Sequence, residues 1–431
     1  MNTRRTFIKQ AVAFTGAVPF LGMTNPTLAN EFLKRSEKNL SLSPEAGLND
    51  EDFWGWIKEQ YTVSANIINL NNGGVSPQPV CVQDAHIKYY QMCNEGPSYY
   101  MWRILDAGRE SLRMKLADLA GCSPEEIAIN RNSTEALNTV IFGLNLKAGD
   151  EIVTSKLDYP NMLNAWKQRE KREGVVIKRL DLTLPEEDDT KLVKQYTDAF
   201  TRKTKLVHIT HMMNYNGNIL PAKEIADEAQ KRGIEILADT AHSFAHIDFK
   251  LPDINCDYAG VSLHKWLCAP FGSGLLYIRK EKIKNIWPLL SSSMAEDNIR
   301  KFETLGTRSF PSEMAIGTAV DFHNIIGSKR KEERLRFLKN YWTEKVVKNP
   351  KVKISTSANP KHSCALALFS IEGWKPEDIE KYLFDKYKIH ITTINWENVQ
   401  GVRVTPHVYT TTKELDRLVK AIEEMCKEEK K

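Results

Sequence analysis

The sequence predicts an α/β protein: a large domain with a mainly parallel sheet between helices, followed by a smaller α+β domain. Three observations predict it. From Glu151 to Ala238 short apolar runs alternate with helical patterns, as parallel strands joined by crossover helices do. Beyond about residue 310 the pattern changes to long helices and then strands in succession. Two apolar runs, Ile234–Ala238 and Tyr258–Ser262, stop just before Asp239 and His264-Lys265-Trp266. A carboxylate and an amine thus stand where buried strands end, and open α/β sheets bind ligands at the carboxyl ends of their strands.

Taken in order, residues 1–29 read as a targeting segment. Thr3-Arg-Arg-Thr-Phe-Ile-Lys9 resembles the twin-arginine export consensus, and Thr27-Leu-Ala29 supplies the small residues of a cleavage site. The apolar run between them, Ala11–Met23, is short and interrupted by Gly16, Pro19 and Gly22, so it does not make a comfortable membrane span. Export to the periplasm by the twin-arginine route is expected. Residues 30–65 form an N-terminal arm with an amphipathic helix around Glu51–Gln60. The large domain is expected over residues 66–310. It opens with a strand at Ile67–Leu70, which the Asn71-Asn-Gly-Gly74 turn ends. A glycine pair lets backbone approach a ligand closely, making Asn72 and Gly73 candidate substrate contacts. Helical patterns fill Gln78–Met92 and Ile104–Ala120, and Glu126–Asn130 is a strand. The polar stretch from Asn130 to Leu137 then leads into a helix at Asn138–Leu144. Its Ser133 and Thr134 suit a helix cap or an anion site, because unpaired N–H groups gather there.

Strands at Glu151–Ser155, Val175–Leu180, Lys205–Thr210 and Ile234–Ala238 alternate with helices at Asn161–Arg172, Leu192–Phe200 and Ala222–Arg232, two of them opened by Pro160 and Pro221. Gly272-Ser-Gly274 introduces one more strand, Leu275–Ile278. The small domain, residues 311–431, has helices at Ser312–Ile326, Lys329–Val347, Pro376–Tyr387 and Thr412–Glu429, with strands at Val352–Ser355, Ala365–Phe369, Ile389–Thr392 and Gly401–Thr405.

Composition excludes several classes. Net charge is +5, and Arg4, Arg5 and Lys9 of the targeting segment account for three of it, so the remainder asks for neither nucleic acid nor an anionic membrane. The mixed-sign run Ser328–Arg336 reads as a solvated helix face. The seven cysteines are scattered without C-x-x-C or His-rich spacing, so no metal site is expected and at least one thiol stays free in a monomer.

Lys265 and Asp239 are the pair that pyridoxal 5′-phosphate (PLP) chemistry needs, an amine for a Schiff base and an acid for the pyridinium proton. From about Leu70 to Lys420 the chain resembles fold-type I PLP enzymes of the class V aminotransferase group, which includes cysteine desulfurases and isopenicillin N epimerase-like proteins. It looks most like the epimerase-like branch, through Ser262-Leu-His-Lys-Trp-Leu-Cys-Ala-Pro270 and Gly306-Thr-Arg308. The resemblance implies a seven-stranded large-domain sheet and a homodimer with a shared active site. It makes Lys265 the Schiff-base lysine and Cα base, with Asp239 at the pyridine nitrogen and His242 near the phenolic oxygen. It sets Tyr159 over the ring face and Asn214 near a cofactor oxygen. Ser133, Thr134, Ser262 and His264 fall on the phosphate, with Thr307 reaching the phosphate of the neighbouring subunit. Arg403, in Gly-Val-Arg-Val-Thr-Pro-His-Val-Tyr409, becomes the clamp on the substrate carboxylate, since a guanidinium fork suits a carboxylate.

One departure matters. Cysteine desulfurases carry a nucleophilic cysteine shortly before this arginine; here the stretch reads Thr392-Thr-Ile-Asn-Trp-Glu-Asn-Val-Gln400, and Cys364 lies well upstream. The leading expectation is therefore a PLP-dependent aminotransferase or epimerase/racemase acting at Cα of an amino-acid-like substrate. A Cβ-eliminating lyase on a sulfur-containing amino acid is the alternative, and a non-catalytic binding protein on the same fold is a third. A nucleotide-binding Rossmann protein is weak, because no G-x-G-x-x-G run follows the first strand.

Overall fold

The computed structural model describes residues 41–428. The targeting segment, the first part of the arm and the end of the last expected helix lie outside the described residues. Strand β1 is Ile68–Asn69. Strands β2 (Ile127–Asn130), β3 (Glu151–Ser155), β4 (Val176–Leu180), β5 (Thr204–Thr210), β6 (Glu235–Asp239), β7 (Tyr258–Ser262) and β8 (Gly274–Ile278) form a seven-stranded sheet in the order β2-β8-β7-β6-β5-β3-β4. Strand β8 runs antiparallel to β2 and β7, and the other neighbouring pairs are parallel.

Successive residues of the central strands feed two separate cores, the period-two alternation of a sheet covered on both faces. Ile152, Leu206 and Leu237 pack with Leu137, Val140 and Trp166 of the helices Ser133–Gly143 and Pro160–Glu173. Val153, Val207 and Ile236 pack on the opposite side with Leu116, Ile225 and Ile316. Each buried aliphatic side chain contributes about 1.5–3 kcal/mol. Doubly buried strands therefore hold the framework rigidly while their ends stay free for chemistry.

Strands β9 (Val352–Ile354), β10 (Ala367–Ile371), β12 (Thr392–Trp396) and β13 (Val399–Val404) make an antiparallel sheet in the order β12-β13-β10-β9. A core of Leu338, Trp342, Phe369, Leu383, Val402 and Leu418 packs it under the helices Ser328–Val346, Pro376–Tyr387 and Thr412–Lys427.

Three expectations are redrawn. Strand β1 does not join the large sheet. It pairs in parallel with β11 (Ile389–His390), and Ile68 and Leu70 are buried in the C-terminal core. The helix Phe310–Ile326, expected in the small domain, packs against the helices Val80–Glu95 and Asp106–Ala120, with Ala315, Ile316, Ala319 and Val320 in the large core. The helix expected at Asn138–Leu144 begins at Ser133, capped by Asn132, whose side chain accepts from the Glu135 amide.

Candidate active site

Strands β5, β6 and β7 end in Thr210, Asp239 and Ser262, and all three residues line one cavity of about 330 Å³. The register explains the convergence, because Thr210 pairs with Asp239 and Asp239 with Gly260 across adjacent parallel strands. With Asp239 and Ser262, the sequence-derived candidates brought to this cavity are Gly73, Ser133, Thr134, Tyr159, Asn214, His242, His264, Lys265 and Arg403.

Lys265 Nζ lies 3.0 Å from His242 Nε2. Burial pushes the lysine down to about 8, with Asp239 pulling the other way and Arg403 adding to the fall. Burial also holds His242 well below its ordinary value, and the charges of Lys265 and Arg403 push in the same direction. At neutral pH the imidazole is therefore uncharged, and the amine beside it sits close to its titration point. Asp239 is raised by burial, opposed by the Ala241 amide, which donates to Oδ1 at 2.9 Å.

Two hydroxyls meet where the helix starts beside the end of β7. The Ser133 amide donates to Ser262 Oγ at 3.1 Å, and the two hydroxyl oxygens lie 2.8 Å apart. This close approach of helix to sheet depends on Gly274, where a Cβ would come within 2.6 Å of the Asn132 Cα. His264 Nδ1 lies 3.0 Å from the Ser273 carbonyl, which orients the ring.

Arg403 forms the opposite wall. Nη1 donates to the Asn214 carbonyl at 2.7 Å and Nη2 to Asn71 Oδ1 at 3.0 Å, while Nε is buried without a partner. Burial pushes the guanidinium down to about 10, a value at which it still keeps its proton at neutral pH. Among the described residues no carboxylate pairs with it. A buried, uncompensated cation is costly, which makes the site receptive to an anion. Gly73 sits between the two groups: a Cβ there would lie 3.4 Å from both Arg403 Cζ and His242 Cε1.

Two candidates stand elsewhere. Asn72 is fully buried and does not line the cavity. Its Nδ2 donates to the Thr405 carbonyl at 2.8 Å, and its Oδ1 accepts from Tyr409 and Asn69, so the side chain is consumed in holding the turn. Its neighbour Asn71 is the residue that meets Arg403. Thr307 is exposed and lies outside the cavity. Thr210 was missed, although it ends a predicted strand just as the residue before Asp239 does; its hydroxyl donates to Asp158 Oδ1 at 2.6 Å.

The stretch lacking a cysteine is a tight hairpin, with Trp396 paired to Val399 around Glu397 and Asn398. Trp396 stacks on Tyr215 at 6.2 Å and donates to the Lys156 carbonyl. Cys364 is fully buried, bonds toward the Glu332 carbonyl and does not line the cavity.

The chain matches the aminotransferase class-V family over residues 68–418. It is 28% identical to an isopenicillin N epimerase of Amycolatopsis lactamdurans, over 87% of this chain and 99% of that protein. It is 31% identical to a probable cysteine desulfurase of Synechocystis sp., over 73% of this chain and 78% of that one. Among solved structures, a cysteine desulfurase from Thermococcus onnurineus shares the fold at 23% identity with a TM-score of 0.75, covering 86% of this chain and 97% of that one. The cystine C-S lyase C-DES, in complex with its product cysteine persulfide, shares it at 21% identity with a TM-score of 0.74, covering 83% and 97%.

Proposed function

We propose that this chain, which belongs to the aminotransferase class-V family, breaks the Cα–H bond of an amino acid or amino-acid-like substrate and returns the proton either to Cα, as an epimerase does, or to a carbon of the cofactor, as an aminotransferase does. PLP is the cofactor of the family. When bound, it supplies the electron sink that makes removal of the Cα proton feasible. The residues present fit it. Asn214 Oδ1 and His242 Nδ1 are buried polar atoms without partners among the described residues, and both belong to cavity-lining side chains.

The observation that carries the reading is Lys265 Nζ, half-buried where its side chain lines the cavity, at 3.0 Å from a neutral imidazole and near its titration point. An amine that sheds its proton close to neutral pH can take a proton from Cα and give it back. Asp239 would hold a proton at the cofactor's ring nitrogen, His242 would sit by its phenolic oxygen, and Tyr159 would cover its face. Ser133, Thr134, Ser262 and His264 would hold the phosphate. Arg403 would orient the substrate through its carboxylate and exclude water from that wall.

A second reading, elimination at Cβ of a sulfur-containing amino acid, is supported by the likeness to desulfurases and needs no cysteine of its own. Incubation with mixed amino acids in heavy water separates the readings. Deuterium at Cα of recovered amino acid supports the first, with keto-acid dependence marking transamination. Sulfide or persulfide release without Cα label would replace the first reading by the second.

Two further parts of the proposal concern setting. Trp287 is 72% exposed and Phe271 60%, which supports a homodimer face, with Thr307 turned toward a partner's site. Sedimentation of a Trp287→Lys variant should show a smaller species, and an unchanged mass would remove Trp287 from that face. The Thr3–Lys9 motif supports twin-arginine export to the periplasm. Continued export after Arg4→Lys and Arg5→Lys would contradict it. Among the described residues no helix is long and apolar enough to cross a membrane.

A further inference from the structure

Among the buried groups left unused so far, His246 makes the most definite contacts. It lies four residues past His242, in the loop after β6, and is 1% exposed. The Ala365 amide donates to its Nε2 at 3.0 Å, and its Nδ1 lies 2.7 Å from the His242 carbonyl oxygen. An amide N–H only donates and a carbonyl only accepts. The two bonds therefore fix the ring as neutral, with the proton on Nδ1 and the lone pair on Nε2. Burial acts the same way and pushes the imidazole down to about 3.

The face of the ring is occupied as well. His246 stacks on Trp266 with centroids 3.6 Å apart and planes inclined by 20°. The Trp266 indole also stacks with His407, at 5.6 Å and 15°. Trp266 follows Lys265 directly, and Lys265 Nζ meets His242 Nε2. The contacts close a circuit: His242 to His246 through a carbonyl, His246 to Trp266 through stacked faces, Trp266 to Lys265 along the chain, and Lys265 back to His242.

We propose that His246 is a positioning residue that holds His242 Nε2 against Lys265 Nζ. It does not line the cavity and acts through the His242 carbonyl and the Trp266 indole. The inference rests on the reading of Lys265 as the amine that bonds the cofactor aldehyde.

The test uses apoprotein of wild type and of His246→Phe, His246→Asn and His246→Gln. Phenylalanine keeps a stacking face and loses both hydrogen bonds. The amide nitrogen of asparagine falls near the place of Nδ1 and can donate to the His242 carbonyl. The glutamine amide falls near Nε2 and can meet only Ala365. Pyridoxamine 5′-phosphate, which has no aldehyde for Lys265, reads cavity binding alone; the growth of the visible band with PLP reads the Lys265 amine. All four proteins should bind pyridoxamine 5′-phosphate within about threefold of one another, while His246→Phe and His246→Gln form the band roughly tenfold more slowly and His246→Asn recovers most of the rate. Equal rates in all four proteins, or a glutamine variant as fast as the asparagine one, would overturn the proposal and leave His246 as an anchor for Ala365. If His246→Phe fails to fold, the contrast between asparagine and glutamine decides alone. A wild type that binds neither compound would instead overturn the cofactor reading, and this inference with it.

Discussion

Asp239, His242 and Lys265 reach the cavity from the ends of β6 and β7 and the loops that follow them, whereas Arg403 comes from the interior of β13, where it lies opposite Leu368 and Thr392. The first three owe their places to parallel register and short connections. The arginine reaches over by its length and is steadied by the Asn214 carbonyl and Asn71. Each wall carries a cation with no carboxylate within ion-pair distance among the described residues, although Asp239 still acts on Lys265 through its charge. They differ in what burial does to it. Lys265 is pushed down to about 8 and can escape its desolvation by losing a proton. Arg403, at about 10, keeps its charge at neutral pH and can be compensated only by an anion. One wall is thereby suited to moving protons and the other to holding a fixed negative group.

The largest expected effect tests the lysine wall through stability. Lys265 has its folded value lowered from 10.5 to about 8, so between those pH values the unfolded chain binds more protons and stability rises with pH. Below about pH 8 the penalty for burying the charge is fully present. It corresponds to roughly 3 kcal/mol, given about 1.4 kcal/mol for each pH unit. Lys265→Met apoprotein should therefore unfold at higher denaturant than wild type at pH 7, with the gap closing as pH approaches 10.5. A gap independent of pH would show that Lys265 is not buried as a strained cation. Next, Asp239→Asn should slow Cα–H exchange about a hundredfold while PLP stays bound, at the lower end of what proton-transfer groups contribute. Unchanged exchange would remove Asp239 from the chemistry. The smallest effect belongs to the other wall. Arg403→Lys keeps the charge and loses the fork, and should raise KM for a carboxylate substrate about tenfold with less change in kcat. Collapse of the cofactor absorbance in that variant would merge the two walls into one.

Much of the first wall was legible and little of the second. Doubly buried strands read as continuous apolar runs, so a charged residue where the run stops is conspicuous, and this rule found Asp239 and Lys265. Thr210 obeys the same rule but is neutral, and a strand ending in threonine gives no contrast. The start of the helix at Ser133 was hidden by the polar Asn138 and Thr139, whose side chains bond back to the Thr134 and Glu135 carbonyls and so cost the helix little. In the Asn71-Asn-Gly-Gly74 turn a shift of one residue decides which asparagine faces Arg403, and sequence patterns carry no such resolution. The pairing of β1 with β11 joins segments more than three hundred residues apart, as Ile68 with Ile389 shows, and no local pattern records it. The hairpin at Glu397 likewise depends on the seat that Trp396 finds on Tyr215 and Lys156.

The central claim is that Lys265 is the amine through which this family's cofactor is held. Purified protein reconstituted with PLP should show a visible band, and borohydride followed by peptide mass analysis should find the cofactor's mass on Lys265, with no band in Lys265→Ala. A protein that stays colourless with PLP, or a label on another buried lysine such as Lys331 or Lys339, would contradict the account.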